Sequence, residues 1–246
     1  MKTKAKMSPK KKIVIAVGAV VVVLTAALLF VSNYLVNYAI GRSGDGGDRE
    51  VALEVEASPD SVEAIIETNR AQYSADIDTF TAAHPGDNVT LTAADGLTLH
   101  GVRYANAETA DTHRWAIVLH GYRGDYTGAL QLAAPYYEAG YQVIAPDLRA
   151  CGESEGDYVG MGWLDREDIL RWIDFILADD PQAEIVVHGI SMGAATTMMT
   201  AGEDTPESVK VFIEDCGYTS VWDVFSSELQ LRFGLPEFPI LYTASG

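Results

Sequence analysis

The chain has 246 residues, a formal net charge of −18 and 48% hydrophobic residues, enough for one globular domain with a sizeable core and a further apolar segment. So acidic a chain repels nucleic acid and anionic surfaces, which excludes nucleic acid as a partner. The two cysteines, Cys151 and Cys216, stand in no Cys-x-x-Cys or metal-ligand spacing, which argues against a disulfide scaffold or zinc module.

Residues 1–12 carry six lysines and no acid, and residues 13–31 carry no charge at all. At 1.5 Å per residue that uncharged run covers ~28 Å, close to the hydrocarbon thickness of a bilayer. Weak apolar character continues to Ile40, with Tyr34 and Tyr38 where an interfacial aromatic belt falls. A cleaved signal peptide is the competing reading, but the run exceeds the usual ~7–15 apolar residues and no small-x-small cleavage site follows. The expectation is a basic cytoplasmic tail over 1–12 and a single transmembrane anchor over 13–40, with all later residues outside the cytoplasm by the positive-inside rule. The exported part then carries 35 Asp and Glu against 11 Lys and Arg, a charge of −24, read as a solubility feature.

Residues 41–57, opening on Gly41-Arg-Ser-Gly-Asp-Gly-Gly-Asp48, read as a flexible polar linker, and 58–246 as one α/β domain. Ser58-Pro59-Asp60 resembles a helix start, and Val62, Ile65, Ile66, Tyr73, Ile77 and Phe80 recur at helical spacing, so 59–80 is expected as an amphipathic helix with those residues in the core. Alternation over 88–93 and 97–104 about Asp95-Gly96 signals a hairpin. Strands at 115–120, 142–145, 185–188 and 209–213 then alternate with helices at 126–140 (Pro135 as a kink point), 165–178 and 220–233. That order implies a mostly parallel sheet, covering helices and an antiparallel hairpin at one edge.

The chemistry points to the carboxyl ends of the parallel strands. Residues 185–194 run from an apolar strand through Gly189-Ile-Ser191-Met-Gly193 into a helix-forming stretch. Such an elbow exposes Ser191 as a nucleophile above the sheet, at the positive end of the following helix. A glycine-bracketed serine in an ordinary turn is the bland alternative; the flanking strand and helix weigh against it. Met192, just after the serine, and Tyr122, in His120-Gly-Tyr-Arg-Gly124, are the expected backbone N–H donors of an oxyanion hole. In Asp147-Leu-Arg-Ala-Cys-Gly-Glu-Ser154 the polar groups are expected to tie down a loop, with Arg149 paired to an acid. His188 reads as a hydrogen-bonded core histidine, and His84, His100 and His113 precede the parallel sheet with no claim on the site. Cys151 and Cys216 are expected as two buried thiols, with a disulfide between them, which an exported location permits, as the alternative.

Together these four stretches, the last of them Glu214-Asp-Cys-Gly-Tyr-Thr-Ser220, resemble the α/β-hydrolase superfamily over about residues 55–246. More narrowly, they are similar to its membrane-anchored bacterial branch described as lysophospholipase-like or serine-aminopeptidase-like. The resemblance implies the α/β-hydrolase fold preceded by one transmembrane helix, and a serine hydrolase cleaving an ester, thioester or amide of a small-molecule, lipid or peptide acyl substrate. It implies Ser191 as nucleophile, Tyr122 and Met192 at the oxyanion hole, and neither metal nor organic cofactor. Asp215 matches a frequent feature of the branch but not its triad acid. The superfamily's order is serine, then acid, then histidine, yet no histidine follows Ser191 in the remaining 55 residues. The expectation is therefore a fragment, incomplete at its carboxyl end and inactive as it stands. The rival from another class is a non-catalytic membrane-anchored binding module that keeps the elbow as scaffolding.

Overall fold

The computed structural model describes residues 8–43 and 61–244. The chain divides into two units, Ile40–Arg42 with Gly46–Thr219 in the larger, and Met1–Ala39, Ser43–Asp45 and Ser220–Gly246 in the smaller.

In the larger unit, six strands form one sheet: β1 (Asp87–Thr92), β2 (Thr98–Tyr104), β3 (Arg114–Leu119), β4 (Gln142–Pro146), β5 (Glu184–Ile190) and β6 (Val209–Asp215). Their order is β1-β2-β4-β3-β5-β6. The β1–β2 hairpin lies antiparallel at one edge, and β4, β3, β5 and β6 are mutually parallel. Central strands covered on both faces must be apolar at every position. Accordingly Ala116, Ile117, Val118 and Leu119 of β3, and Val143, Ile144 and Ala145 of β4, are fully buried. Alternation sends Ala116, Val118, Val143 and Ala145 to one face, against Leu130 and Ala133 of α3 (Leu130–Glu138) and Phe80 of α2 (Val62–Ala83). Helix α4 (Asp165–Asp179) packs on α5 (Met192–Ala201), which lies along β5 and β6. Its Ile169, Trp172, Ile173 and Ile176, spaced at 3, 1 and 3 along one helical face, are all buried.

The expected elements are present with small shifts. A 3₁₀ turn over Tyr126–Ala129 replaces the first turn of the helix expected from 126, and Pro135 lies inside α3. Helix α2 is capped by Ser61, whose hydroxyl accepts the Ala64 N–H at 3.2 Å, and Ser58–Asp60 lie outside the described residues. The reading of α2 as a core helix is corrected: only Phe80 is buried and Ile77 partly, while Val62, Ile65, Ile66 and Tyr73 are at least half exposed. Helical spacing gives an apolar stripe but not the length over which another element covers it.

Of the linker expected over 41–57, residues 44–57 lie outside the described residues, and its first two residues are paired. Gly41 bridges Tyr158 antiparallel, the Arg42 N–H donates to the Asp157 carbonyl (2.8 Å), and the Val159 N–H donates to the Ile40 carbonyl (2.7 Å). At Gly41 and Arg42, backbone pairing with a distant loop left no trace in composition.

In the smaller unit, α1 (Pro9–Ile40) has a most apolar 18-residue window of mean hydropathy 3.0, none of it buried. Its length and composition suit a membrane anchor or a signal sequence. Helix α6 (Val221–Phe233) is capped by Ser220, whose Oγ accepts the Asp223 N–H (3.1 Å), and ends on Gly234 at φ 62°. A short α7 (Glu237–Ala244), not anticipated from the sequence, follows.

Strand β6 is the other edge of the sheet, with Val211 and Ile213 exposed. Cys216 follows it and is exposed, whereas Cys151 is buried, and both are free. The expectation of two buried thiols therefore fails for Cys216, because the strand before it is covered on one edge only.

Candidate active site

Ser191 occupies the junction of β5 and α5 at φ 55° and ψ −113°, a backbone conformation costly for any residue with a side chain. Two neighbours hold it there. Its N–H donates to the Asp215 carbonyl at the end of β6 (2.8 Å), and its carbonyl accepts the Ala195 N–H of the first α5 turn (3.0 Å). The flanking glycines have separate reasons. A Cβ at 193 would strike the Leu119 and His120 carbonyl oxygens, and one at 189 the Gly193 carbonyl and Ala194 nitrogen. Strand and helix therefore close on each other only when both positions are bare. The Ser191 side chain does not cap α5, and Met192 opens the helix fully buried, its N–H among the first-turn donors without an intrahelical acceptor.

The loop after β3 lies against this elbow. A Cβ built on Gly121 would stand 3.5 Å from Ser191 Cβ and 4.0 Å from its Oγ. Position 121 is thus kept open directly in front of the hydroxyl. The Gly124 N–H donates to the Gly121 carbonyl (3.1 Å), closing a four-residue turn over 121–124.

His120, fully buried, locks that turn. Its Nε2 accepts the Leu148 N–H at 2.9 Å, so the neutral ring carries its proton on Nδ1, which donates to the Gly121 carbonyl at 2.7 Å. Burial pushes the His120 pKa below the usual histidine value, with the Gly121 carbonyl and the Asp147 and Asp125 charges pulling the other way. Because the 121–122 peptide is planar and trans, engaging its carbonyl leaves the Tyr122 N–H on the opposite edge. Both nitrogens of His120 are occupied, so this ring positions and does not take up protons.

The other histidines are equally engaged. His188, half-buried on β5, meets the Tyr136 hydroxyl through Nδ1 (3.2 Å), and burial pushes its pKa down against the Asp215 charge. His113 Nδ1 faces Asp180 Oδ1 (2.8 Å), and the His84 ring packs on Tyr137 with centroids 4.4 Å apart. His100 makes a buried pair with Asp147 (Nδ1 to Oδ2, 2.7 Å), its Nε2 facing Asn88 Oδ1 at 3.2 Å.

That last pair has a structural role which sequence spacing, 47 residues, gave no means to detect. Asp147 also accepts the Tyr126 N–H (2.7 Å) and the Glu153 N–H (2.8 Å), joining the loops after β3 and β4 through one carboxylate. Arg149, expected to pair with an acid, pairs with two. It forks onto Asp168 (Nη2 to Oδ1 2.8 Å, Nε to Oδ2 3.0 Å) and also reaches Asp95 at the hairpin turn. Burial lifts Asp168 to about 6, with Arg149 opposing the rise. Asp165, fully buried, accepts the Gly162 N–H (2.7 Å) and the Arg149 N–H (3.2 Å).

Comparison with known proteins agrees with this architecture. Residues 116–244 match the model of the Alpha/beta hydrolase family. YqkD of Bacillus subtilis (strain 168), an uncharacterized protein, is 24% identical over 152 residues, 61% of this chain and 49% of YqkD. The esterase Pf2001 of Pyrococcus furiosus superposes with TM-scores of 0.54 and 0.51 in two crystal forms, at 22% and 23% identity. Those superpositions cover 67% and 65% of this chain and 63% and 59% of the esterase chain, a likeness of fold. The chain thus spans about half the length of the curated relative it matches. With the matched segment covering more than half of its residues, the chain belongs to the alpha/beta hydrolase family.

Proposed function

We propose that Ser191 is the nucleophile of a serine hydrolase cleaving an ester, thioester or amide through an acyl-enzyme, held at the cell membrane by α1 with its globular part outside the cytoplasm. The observation that carries this is the elbow: φ 55° at Ser191, a hydroxyl that does not cap its own helix, and an open Gly121 directly opposite. In this reading Ser191 Oγ attacks the acyl carbon, and the charge developing on the carbonyl oxygen is met by the N–H groups of Tyr122 and Met192. The substrate is a small-molecule, lipid or peptide acyl compound; esterase Pf2001 shares the fold, and its activity reaches this chain only as part of the proposal.

The reaction needs a base, and each of the five histidines is already engaged by a partner or packed away from Ser191. In the hydrolase reading, none of these five histidines acts as the base in the arrangement described. The same observation favours a second reading, a membrane-anchored binding module that retains the elbow without chemistry.

One experiment separates the two. Residues 1–246 and the open reading frame containing them, extended to its natural stops, are exposed side by side to a fluorophosphonate and a short-chain ester. Labelling and turnover confined to the extended frame, and lost in Ser191→Ala, support the hydrolase. No labelling in either form supports the binding module. Equal labelling in both would show that a histidine assigned above to structure acts as base. For topology, protease added to intact cells should remove the globular part and spare the amino-terminal lysines.

A further inference from the structure

In the smaller unit, α6 and α7 pack on the carboxyl-terminal end of α1. We propose that these two helices lie in the lipid–water interface beside α1, with their exposed apolar side chains inserted among phospholipid chains. The inference rests on α1 being a membrane anchor, as proposed above, and is independent of Ser191.

The depth follows from where the two helices touch α1. Ser32 is buried there, its Oγ in hydrogen-bonding contact with the Thr243 hydroxyl (2.5 Å) and the Ile240 carbonyl oxygen (3.4 Å) of α7. Ser32 stands 19 residues after Ile13, the first residue of the uncharged run (32 − 13), or ~28 Å at 1.5 Å per residue. In a membrane-spanning α1 that is the far boundary of the hydrocarbon. Six residues further on (38 − 32), the Tyr38 ring meets Phe233 of α6 edge to face, with centroids 5.6 Å apart. The Tyr38 hydroxyl also accepts from Arg232 Nη1 (3.4 Å). Contacts at Ser32 and Tyr38 therefore hold both helices level with the headgroups and the outermost part of the acyl chains.

Their composition suits that layer, which takes aromatic rings and apolar side chains together with a few charges that reach water. Leu231, Phe233 and Phe238 are 80%, 41% and 71% exposed. Residues 235–244 carry a single charge, Glu237. The Tyr242 ring lies against both Trp222 and Phe238, with centroids 5.1 and 5.8 Å apart, so the aromatic residues of the two helices are contiguous. Large apolar groups left exposed together mark an interaction surface, and beside a membrane helix the adjoining apolar phase is lipid. The charges set the kind of contact. Arg232 pairs with Glu228 (2.7 Å), and α6 and α7 otherwise carry Asp223 and Glu237, one base against three acids. Such a segment gains nothing from anionic headgroups, so insertion is apolar and proceeds in a neutral bilayer.

The test is depth-dependent quenching on the 246-residue chain in phosphatidylcholine vesicles. An environment-sensitive fluorophore is attached at Leu231→Cys, Phe238→Cys or, within α1, Val22→Cys. Cys216 is replaced by serine, while buried Cys151, its thiol pushed up to about 12 chiefly by burial, is left in place. Relative to vesicles without nitroxide, lipid carrying nitroxide near the headgroup should quench positions 231 and 238 several-fold more than lipid carrying it at mid-chain. Position 22 should show the reverse order. The two α6–α7 positions are read independently, so one variant that misfolds does not remove the test. Quenching at 22 with none at 231 or 238 overturns the proposal and leaves the anchor standing. No quenching at 22 overturns the anchor and the proposal with it. A blue-shifted emission at 231 and 238 without quenching assigns the surface to protein, a second copy of the chain where the shift fades on dilution with lipid, and also overturns the proposal.

Discussion

Adding one methyl group at Gly193 should cost more stability than adding one at Gly121, although both glycines border the same serine. At 193 the new Cβ would lie 2.7 Å from the His120 carbonyl oxygen and closer still to that of Leu119. Both obstacles are main chain at the end of a fully buried strand, so no rotamer change relieves them and α5 must lift off β3. Overpacking of this kind costs about 1–3 kcal/mol, and with rigid neighbours on both contacts the upper end applies. For a domain of this size ~3 kcal/mol lowers Tm by roughly 6–12 °C. At 121 the corresponding distances are 3.5 and 4.0 Å, ordinary contact, and the backbone there lies outside the left-handed region. Gly121→Ala should therefore stay within about 0.5 kcal/mol of the native protein, as substitutions free of clash do. Thermal unfolding of the chain and both variants in neutral detergent measures the difference. A Gly193→Ala protein melting within a degree or two of the native one would refute the closed elbow. Equal losses in both variants would refute the open position in front of Ser191.

Ser191→Gly should melt higher than Ser191→Ala, since only glycine relieves a conformation costing about 1–3 kcal/mol; identical melting temperatures would mean the serine is unstrained. Arg149→Met should destabilise by about 3–5 kcal/mol in urea titrations because it strands the Asp168 carboxylate, and adding Asp168→Leu should recover most of the loss. Acid should expose His120: with its folded pKa below the ordinary value, the unfolded chain binds the extra proton first, so its stabilising effect is present above about pH 6.5 and declines as pH falls toward the folded pKa. Comparing Tm from pH 7.5 to 5 in the native chain and His120→Gln checks this, and parallel profiles would contradict the neutral, doubly bonded ring.

The sheet was legible because burial on both faces forces continuous apolar strands, as at Ala116–Leu119, and because Asp95-Gly96 between two alternating segments signals a hairpin turn. The elbow was legible for a similar reason: two positions tolerate no Cβ, and only glycine meets that demand. What sequence could not disclose were interactions joining distant segments. Neither the zipping of Gly41 onto Tyr158 nor the convergence of His100, Tyr126 and Glu153 on Asp147 has a local signature. Helix α2 shows the opposite failure. Its stripe is clear, but α3 covers only its carboxyl-terminal part, and periodicity carries no information about what a face meets.

Backbone strain adds a line of reasoning independent of any motif. Among the described residues, six that are not glycine have positive φ, and five of them, Arg123, Ala150, Met161, Ser191 and Cys216, follow the carboxyl ends of β3, β4, β5 and β6. At ~1–3 kcal/mol each, such conformations persist only where surrounding bonds over-determine them. Here the bonds are identifiable: Gly124 N–H to the Gly121 carbonyl around Arg123, Glu155 carbonyl to the Ala150 N–H, Tyr218 hydroxyl to the Met161 carbonyl, and Asp215 carbonyl to the Ser191 N–H. A fold that needed only to be stable would gain by relaxing these positions or placing glycine there. Keeping a side chain at 191 puts the Ser191 hydroxyl opposite Gly121, over the carboxyl end of the sheet. Open α/β sheets bind their ligands beyond the carboxyl ends of the strands. The strain therefore points to the same face as the elbow, by an argument that holds whether or not Ser191 proves to be a nucleophile.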